Sequence, residues 1–302
     1  MTESGQAYGT PPGSAKPSPE EVRALVARYG LKRAGARASL ADYTRELWLR
    51  RHFVAEFSRA TNASTYSRSM LGQAWQVLTP LLNAAVYYLI FGLLLGTDRG
   101  VHNYIGFLVT GVFVFQFIQG SVNGGARSLQ TNRSLARTLR FPRAVFPLSA
   151  TAIALEQLLT SLIVLVPIVL LTGEPLRWQW LFALPALVLQ TLFCIGLSFI
   201  LARVGSKVPD ISQMLPFALR VWFYASGIMF SIPSFTKHHP QVGDVMNANP
   251  ATIYVDLFRN AFLASGPSVT PKQWLLAVVW AGVVLVVGYV FFWKAEEEYG
   301  RD

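Results

Sequence analysis

Long uncharged apolar stretches dominate this sequence. A backbone crossing hydrocarbon must close its hydrogen bonds internally, so such stretches restrict a chain to membrane-spanning helices. Residues about 76–96, 104–122, 180–202 and 274–293 carry no charge, and 147–171 carries only Glu156. Trp274 and Trp293 bracket the last stretch, as aromatic belts bracket a bilayer. Residues 215–232 are less regular, being interrupted by Pro216 and Arg220. They either span fully or form a broken or re-entrant element.

Composition agrees with a membrane chain. Charged residues make up 14% of the 302 and hydrophobic residues 52%, whereas ordinary globular chains carry about 25% charged residues. The net charge of +10 lies between the apolar stretches, with no basic, aromatic-interleaved module, so it reads as membrane topology and not nucleic-acid binding. Eleven Lys and Arg precede residue 76, and residues 123–146 hold five arginines and no acid. Arg203, Lys207, Lys294 and Arg301 continue the same side. Arg99, Arg177, Lys237, Arg259 and Lys272 make up the other. This bias predicts both termini in the cytoplasm and an even number of spans, six here. The expected architecture is all-α and polytopic. A partly disordered extension (1–38) precedes an amphipathic interface helix and connection (39–75), a permease domain (76–293) and a cytoplasmic tail (294–302).

Before the first span, Ser18-Pro19-Glu20-Glu21 has the form of a capping box, with Gly30 as a stop. A second helix begins at Ser39 and places Leu40, Tyr43, Leu47, Val54 and Phe57 near one face among Arg45, Arg50, Arg51 and Arg59. It suits either the cytoplasmic membrane surface or packing on a partner subunit. Within the outer loop 233–273, Asn249-Pro250 starts a short helix. Its apolar face holds Ile253, Tyr254, Leu257, Phe258, Ala261 and Phe262; its polar face holds Thr252, Asp256, Arg259 and Asn260. Such a helix lies on the outer surface or dips into it, and Gly266-Pro267 ends it.

Catalytic patterns are missing. There is no Gly-x-x-x-x-Gly-Lys-Ser/Thr loop, so this chain does not itself hydrolyse ATP, and neither a Gly-x-Ser-x-Gly elbow nor a His-Glu-x-x-His zinc pattern occurs. The lone Cys194 allows no intrachain disulfide and no Cys-based metal site. Glu156 is the one intramembrane acid, to be read either as a coupling-ion site or as an interhelical hydrogen-bond partner. A membrane glycosyltransferase or ion-coupled carrier would need paired acids. The spans are rich in aromatics, which either stack on sugars or pack in the core and against lipid. Phe113, Phe115 and Phe117 cannot all share one helix face.

The stretch from Tyr66 through Leu81 (YSRSMLGQAWQVLTPL), followed by Phe91-Gly92, resembles the entry to the first span of ABC-2 type permeases that export polysaccharides: the O-antigen, capsule, teichoic acid and galactan exporters. Asn103-Tyr104 with Gly111, Asn132 with Phe141-Pro142-Arg143 and Pro147-Leu148, Asp210, and Asn249-Pro250 with Arg259 match in order, covering about 65–295. The resemblance implies a homodimer in the bacterial cytoplasmic membrane, joined to two copies of a separate ATPase that binds ATP and Mg; this chain binds no cofactor. Arg127, Asn132, Arg133, Arg137 and Arg140 would form the coupling loop. Trp75, Phe113, Phe117, Trp222, Phe223 and Tyr224 would be candidates for a glycan path along the dimer interface. Asn249, Pro250, Tyr254, Phe258 and Arg259 would belong to the outer gate. The substrate would be a glycan on an undecaprenyl-type lipid; a drug or lipid permease of the same type is the alternative.

Overall fold

The structure is a computed structural model that describes residues 18–29, 39–66, 70–94, 101–138, 141–232 and 240–296. Helix α1 (Pro19–Tyr29) belongs to a separate unit, Met1–Arg37. It begins at the expected capping box: Glu21 N–H donates to Ser18 Oγ (3.2 Å) and Ser18 N–H to Glu21 Oε2 (2.9 Å). Gly30, the expected stop, lies outside the described residues.

Every described element of the main unit is helical. Among the described residues, five helices are long and apolar enough to cross a membrane: α4 (Trp75–Tyr87, continued as π-helix over Tyr88–Leu94), α5 (Tyr104–Thr131), α7 (Val145–Leu171), α8 (Ala183–Lys207, entered through a 3-10 turn at Trp178–Phe182) and α12 (Pro271–Lys294). Helices α5, α7 and α8 form the centre, and α12 lies along α8. Small residues set the spacings. A Cβ on Gly196 of α8 would run into the backbone of Val284 in α12, and one on Gly288 would run into Gly196. Close backbone approach through small residues is how helices associate in membranes, where apolar burial drives little. The first span, α4, is the least covered by the rest of the chain.

Three expected boundaries move. The helix from Ser39 is capped there as anticipated, its Oγ accepting from Asp42 N–H at 3.1 Å. It breaks, however, into α2 (Leu40–Leu49) and α3 (Arg51–Tyr66). The turn at Arg50 re-aims α3 along α7, where Ser58 Oγ donates to Ser149 O (3.4 Å) and Asn62 Nδ2 to Glu156 Oε2 (3.1 Å). The second span does not end near residue 122: α5 runs on to Thr131. Gly124 and Gly125 sit against Ala150 and Ser198 and serve as packing surface, not as helix stops. Helix α6 (Arg133–Thr138) follows after one residue.

The third difference is the segment 215–232. Only α9 (Ile211–Tyr224) is helical, a length of about 21 Å, short of the ~30 Å hydrocarbon core. Irregular chain follows over 225–231. The end of the bundle bearing Arg127, Arg133 and Lys207 is called here the basic end, and the other the far end. Ser212 O accepts from Arg127 Nη2 at 3.4 Å, and Met229 O from Tyr104 OH at 2.8 Å. Residues 104 and 127 of α5 stand about 35 Å apart. Residues 212–229 therefore run beside nearly the whole of that helix.

A hairpin of α10 (Pro240–Ala248) and α11 (Pro250–Phe262) dips into the far end. Ala248 O accepts from Trp280 Nε1 (3.2 Å), about 14 Å into α12, whereas Leu263 O accepts from Arg177 Nη2 (2.7 Å) at the far end. At the basic end Tyr43 OH donates to Glu296 Oε2 (2.8 Å), so the two ends of the main unit lie side by side.

Candidate functional site

The far-end site grows out of the break after α9. Gly227 has φ +60, a left-handed conformation that turns the chain out of the helix. The carbonyls there lose helical partners, and at membrane depth such groups must be satisfied by protein. Arg259 of α11 satisfies two of them. Its Nη1 donates to Gly227 O (3.0 Å), its Nη2 to Ile228 O (2.8 Å) and its Nε to Phe107 O on α5 (3.1 Å). The guanidinium lies over the Phe107 ring at 3.3 Å from the centroid, and Asp256 supplies the counter-charge at 3.4 Å. Gly111 leaves the slot it occupies, since a Cβ there would stand 2.7 Å from Arg259 Nη2.

Asn249, at the start of the same helix, performs a similar task on Ala225 and Ser226. Its Oδ1 caps α11 by accepting from Ala251 N–H (3.1 Å) and also accepts from Trp222 Nε1 (2.8 Å). Its Nδ2 donates to Ser226 Oγ (3.0 Å). Pro250 occupies the first helical position, which has no use for an N–H. Tyr254 OH donates to Ala277 O on α12 (2.9 Å), and Phe258 is fully buried. Of the five residues expected at a gate, Asn249 and Arg259 meet the break directly, while Pro250, Tyr254 and Phe258 seat the same helix, which is buried in the bundle and does not lie along its surface. Thr252, Asp256 and Arg259 of the expected polar face are as buried as the apolar face, with Arg259 only 2% exposed, and α11 ends at Phe262, before Gly266-Pro267. Beside this site a polar cavity of about 750 Å³ is lined by Phe107, Phe230, Asp244, Asp256, Arg259 and Gln273.

The expected path aromatics separate. Phe113 and Phe117 are 1% and 2% exposed and pack in the core, so neither presents a face to any path in this protomer. Phe223 is buried edge-on against Phe115 (5.2 Å) and beside Tyr87 (5.3 Å). Trp222 is half-buried on Asn249, while Tyr224 and Trp75 are exposed.

At the basic end, Arg127 and Arg133 are exposed. Asn132 caps α5, its Nδ2 donating to Ser128 O (2.8 Å). Arg137 lies on α6, and Arg140 lies outside the described residues. Sequence reasoning missed a cluster close by. Arg143 N–H donates to Glu296 Oε1 (3.0 Å), whose other oxygen takes Tyr43 OH; Ala144 N–H donates back to Tyr43 OH (3.3 Å). Burial raises the Glu296 carboxyl above its usual range, opposed by the Arg143 and Tyr43 hydrogen bonds, and it also raises the Tyr43 hydroxyl. No local pattern marks Glu296, which sits in a short acidic run 253 residues from Tyr43. Glu156 proves to be an interhelical partner: Asn62, which binds it, also accepts from Gln76 Nε2 (3.0 Å), tying the start of the first span to α7.

Comparison with known proteins follows the same extent. The model of the ABC-2 type transporter family matches residues 54–263. The O-antigen export system permease protein RfbA of Myxococcus xanthus is 26% identical over 260 residues, 85% of this chain and 98% of its own. Its namesake in Klebsiella pneumoniae is 25% identical over 238 residues, 78% of this chain and 89% of that protein. The polysialic acid transport protein KpsM of Escherichia coli is 25% identical over 213 residues, 66% and 76% of the two chains. A multi-pass bundle without catalytic machinery of its own, matched to this family over most of its length, belongs to the ABC-2 type transporters as a permease, the membrane-embedded and non-catalytic subunit.

Proposed function

We propose that this permease exports a lipid-linked cell-envelope polysaccharide across the bacterial cytoplasmic membrane. It works as a homodimer with two copies of a separate ATPase that binds ATP and Mg. The observation carrying this reading is the likeness to two O-antigen export permeases and a polysialic acid transport protein over most of each chain. O-antigen, teichoic acid and galactan types all fit this chemistry.

The topology we infer has six crossings, α9 with 225–232 forming the broken fifth, and the basic end facing the cytoplasm. Two facts support it: residues 212–229 run the length of α5, and Tyr43 and Glu296 meet at one end. Five crossings alone would part them. The exposed Arg127 and Arg133 with Asn132 then face the ATPase, while Asn249, Pro250, Tyr254, Phe258 and Arg259 hold the outer gate. Of the path aromatics, Trp75, Trp222 and Tyr224 retain accessible surface. Depletion of the chain should leave lipid-linked polymer inside the cell and none at the surface, and gentle purification should bring down an ATPase. A normal surface glycan with an intracellular drug or lipid accumulating instead would favour the drug or lipid permease.

A further inference from the structure

A second site lies at the basic end, where α2 and α3 lean on α7 and α8. A groove of about 350 Å³ opens between them. One wall is the stripe Thr44, Leu47, Trp48, Arg51 and Val54; the others include Thr151 and Ala152 of α7 and Thr191 of α8. Among the described lining residues the hydroxyls are those of three threonines, and all are used internally: Thr44 Oγ1 donates to Leu40 O (2.7 Å), Thr151 Oγ1 to Pro147 O (3.1 Å) and Thr191 Oγ1 to Leu187 O (2.7 Å). The groove therefore offers hydrocarbon surface and no hydrogen bond.

Its mouth is different. Arg51 donates to Trp48 O (3.2 Å) and lies over the Trp48 ring (5.2 Å), and among the described residues it has no carboxylate partner. Arg45, one turn before Trp48, is exposed and likewise unpaired among the described residues. Glu56, the acid nearest in sequence after Arg51, is taken by Arg59 (3.1 Å). Trp48 and Leu49 are 68% and 64% exposed, as residues at a bilayer interface are. An apolar slot beside the first three turns of α7, topped by Arg51 with Arg45 on the same helix pair, complements a molecule with a hydrocarbon tail and an anionic head.

We propose that this groove holds an acyl chain of an anionic phospholipid of the cytoplasmic leaflet, with its phosphate on Arg51. The proposal rests on the reading of the basic end as cytoplasmic, but its test does not depend on transport. The full-length permease, stripped of lipid in detergent, is melted with increasing dioleoyl-phosphatidylglycerol, dioleoyl-phosphatidylcholine or undecaprenyl phosphate. Phosphatidylglycerol should raise the melting temperature at concentrations where phosphatidylcholine does not. Arg51→Gln should weaken that response about fivefold, the worth of one basic side chain near an anionic headgroup. Ala152→Trp should remove it by filling the slot. Should Ala152→Trp not fold, Arg51→Gln, an exposed change, still decides. Equal responses to the two phospholipids, an unmoved titration in Arg51→Gln, or a stronger response to undecaprenyl phosphate would overturn the proposal.

Discussion

Arg259 at the far end of this molecule and Arg45 and Arg133 at the basic end do opposite work. At the far end Arg259 is buried, and its nitrogens are spent on three carbonyls and one carboxylate. At the basic end Arg45 and Arg133 are open to solvent. The far-end residue substitutes for the helix that stops at Tyr224, whereas Arg45 and Arg133 keep their donors in solvent. The role of an arginine here follows from where its five N–H groups go. The positive-inside pattern counts both kinds alike.

Removing the buried partner should break this contrast most sharply. Arg259→Met leaves Gly227, Ile228 and Phe107 carbonyls and Asp256 unpaired, a loss of about 3–5 kcal/mol for a broken buried pair. It should appear as a large drop in melting temperature or failure to accumulate in the membrane, with Arg259→Lys between the two. Next in size, Gly111→Val pushes a side chain into the guanidinium slot and should cost about 1–3 kcal/mol. Combined with Arg259→Met the two losses should be clearly less than additive; simple additivity would mean the slot is not shared. Arg133→Glu should leave the melting curve within about 0.5 kcal/mol of wild type while abolishing ATP-driven export with its ATPase. If it instead destabilised the isolated permease, the two ends would not differ as described.

The smallest effect concerns pH. Glu296 has its carboxyl raised by burial, so the folded chain holds a proton that the unfolded chain releases near pH 4.3. Its contribution to stability is complete below that value and is lost as pH rises through the raised folded value. The melting temperature of wild type should therefore decline over that window relative to Glu296→Gln. A difference curve flat across it would remove the cluster at Tyr43 from consideration.

Much of the bundle was legible because apolar length and charge bias are local signals. Five stretches became helices with ends within a few residues of expectation, apart from the basic end of α5. Asn249-Pro250 announced its cap, and Glu156 found a hydrogen-bond partner. Two things were not legible. The apolar stretch of the second span ends near residue 122, and only the opposing Ala150 and Ser198 make Gly124 and Gly125 packing surface over which the helix continues. The polar face of α11 reads locally as solvated, because nothing in its own residues reveals that a broken neighbour supplies carbonyls to meet it. Pairings such as Tyr43 with Glu296 span 253 residues and leave no periodic trace.

The seat of Arg259 also bears on how the chain is made. A hairpin carrying Asp256 and Arg259 is a poor candidate to partition into lipid unaided. The carbonyls that Arg259 meets outside the hairpin belong to Phe107, Gly227 and Ile228, all synthesised before it. The earlier helices must therefore be inserted and waiting when α11 leaves the ribosome, so that the hairpin docks on protein and not on hydrocarbon. Chains truncated before residue 240 should be membrane-integrated yet marked for degradation, their far-end carbonyls still bare.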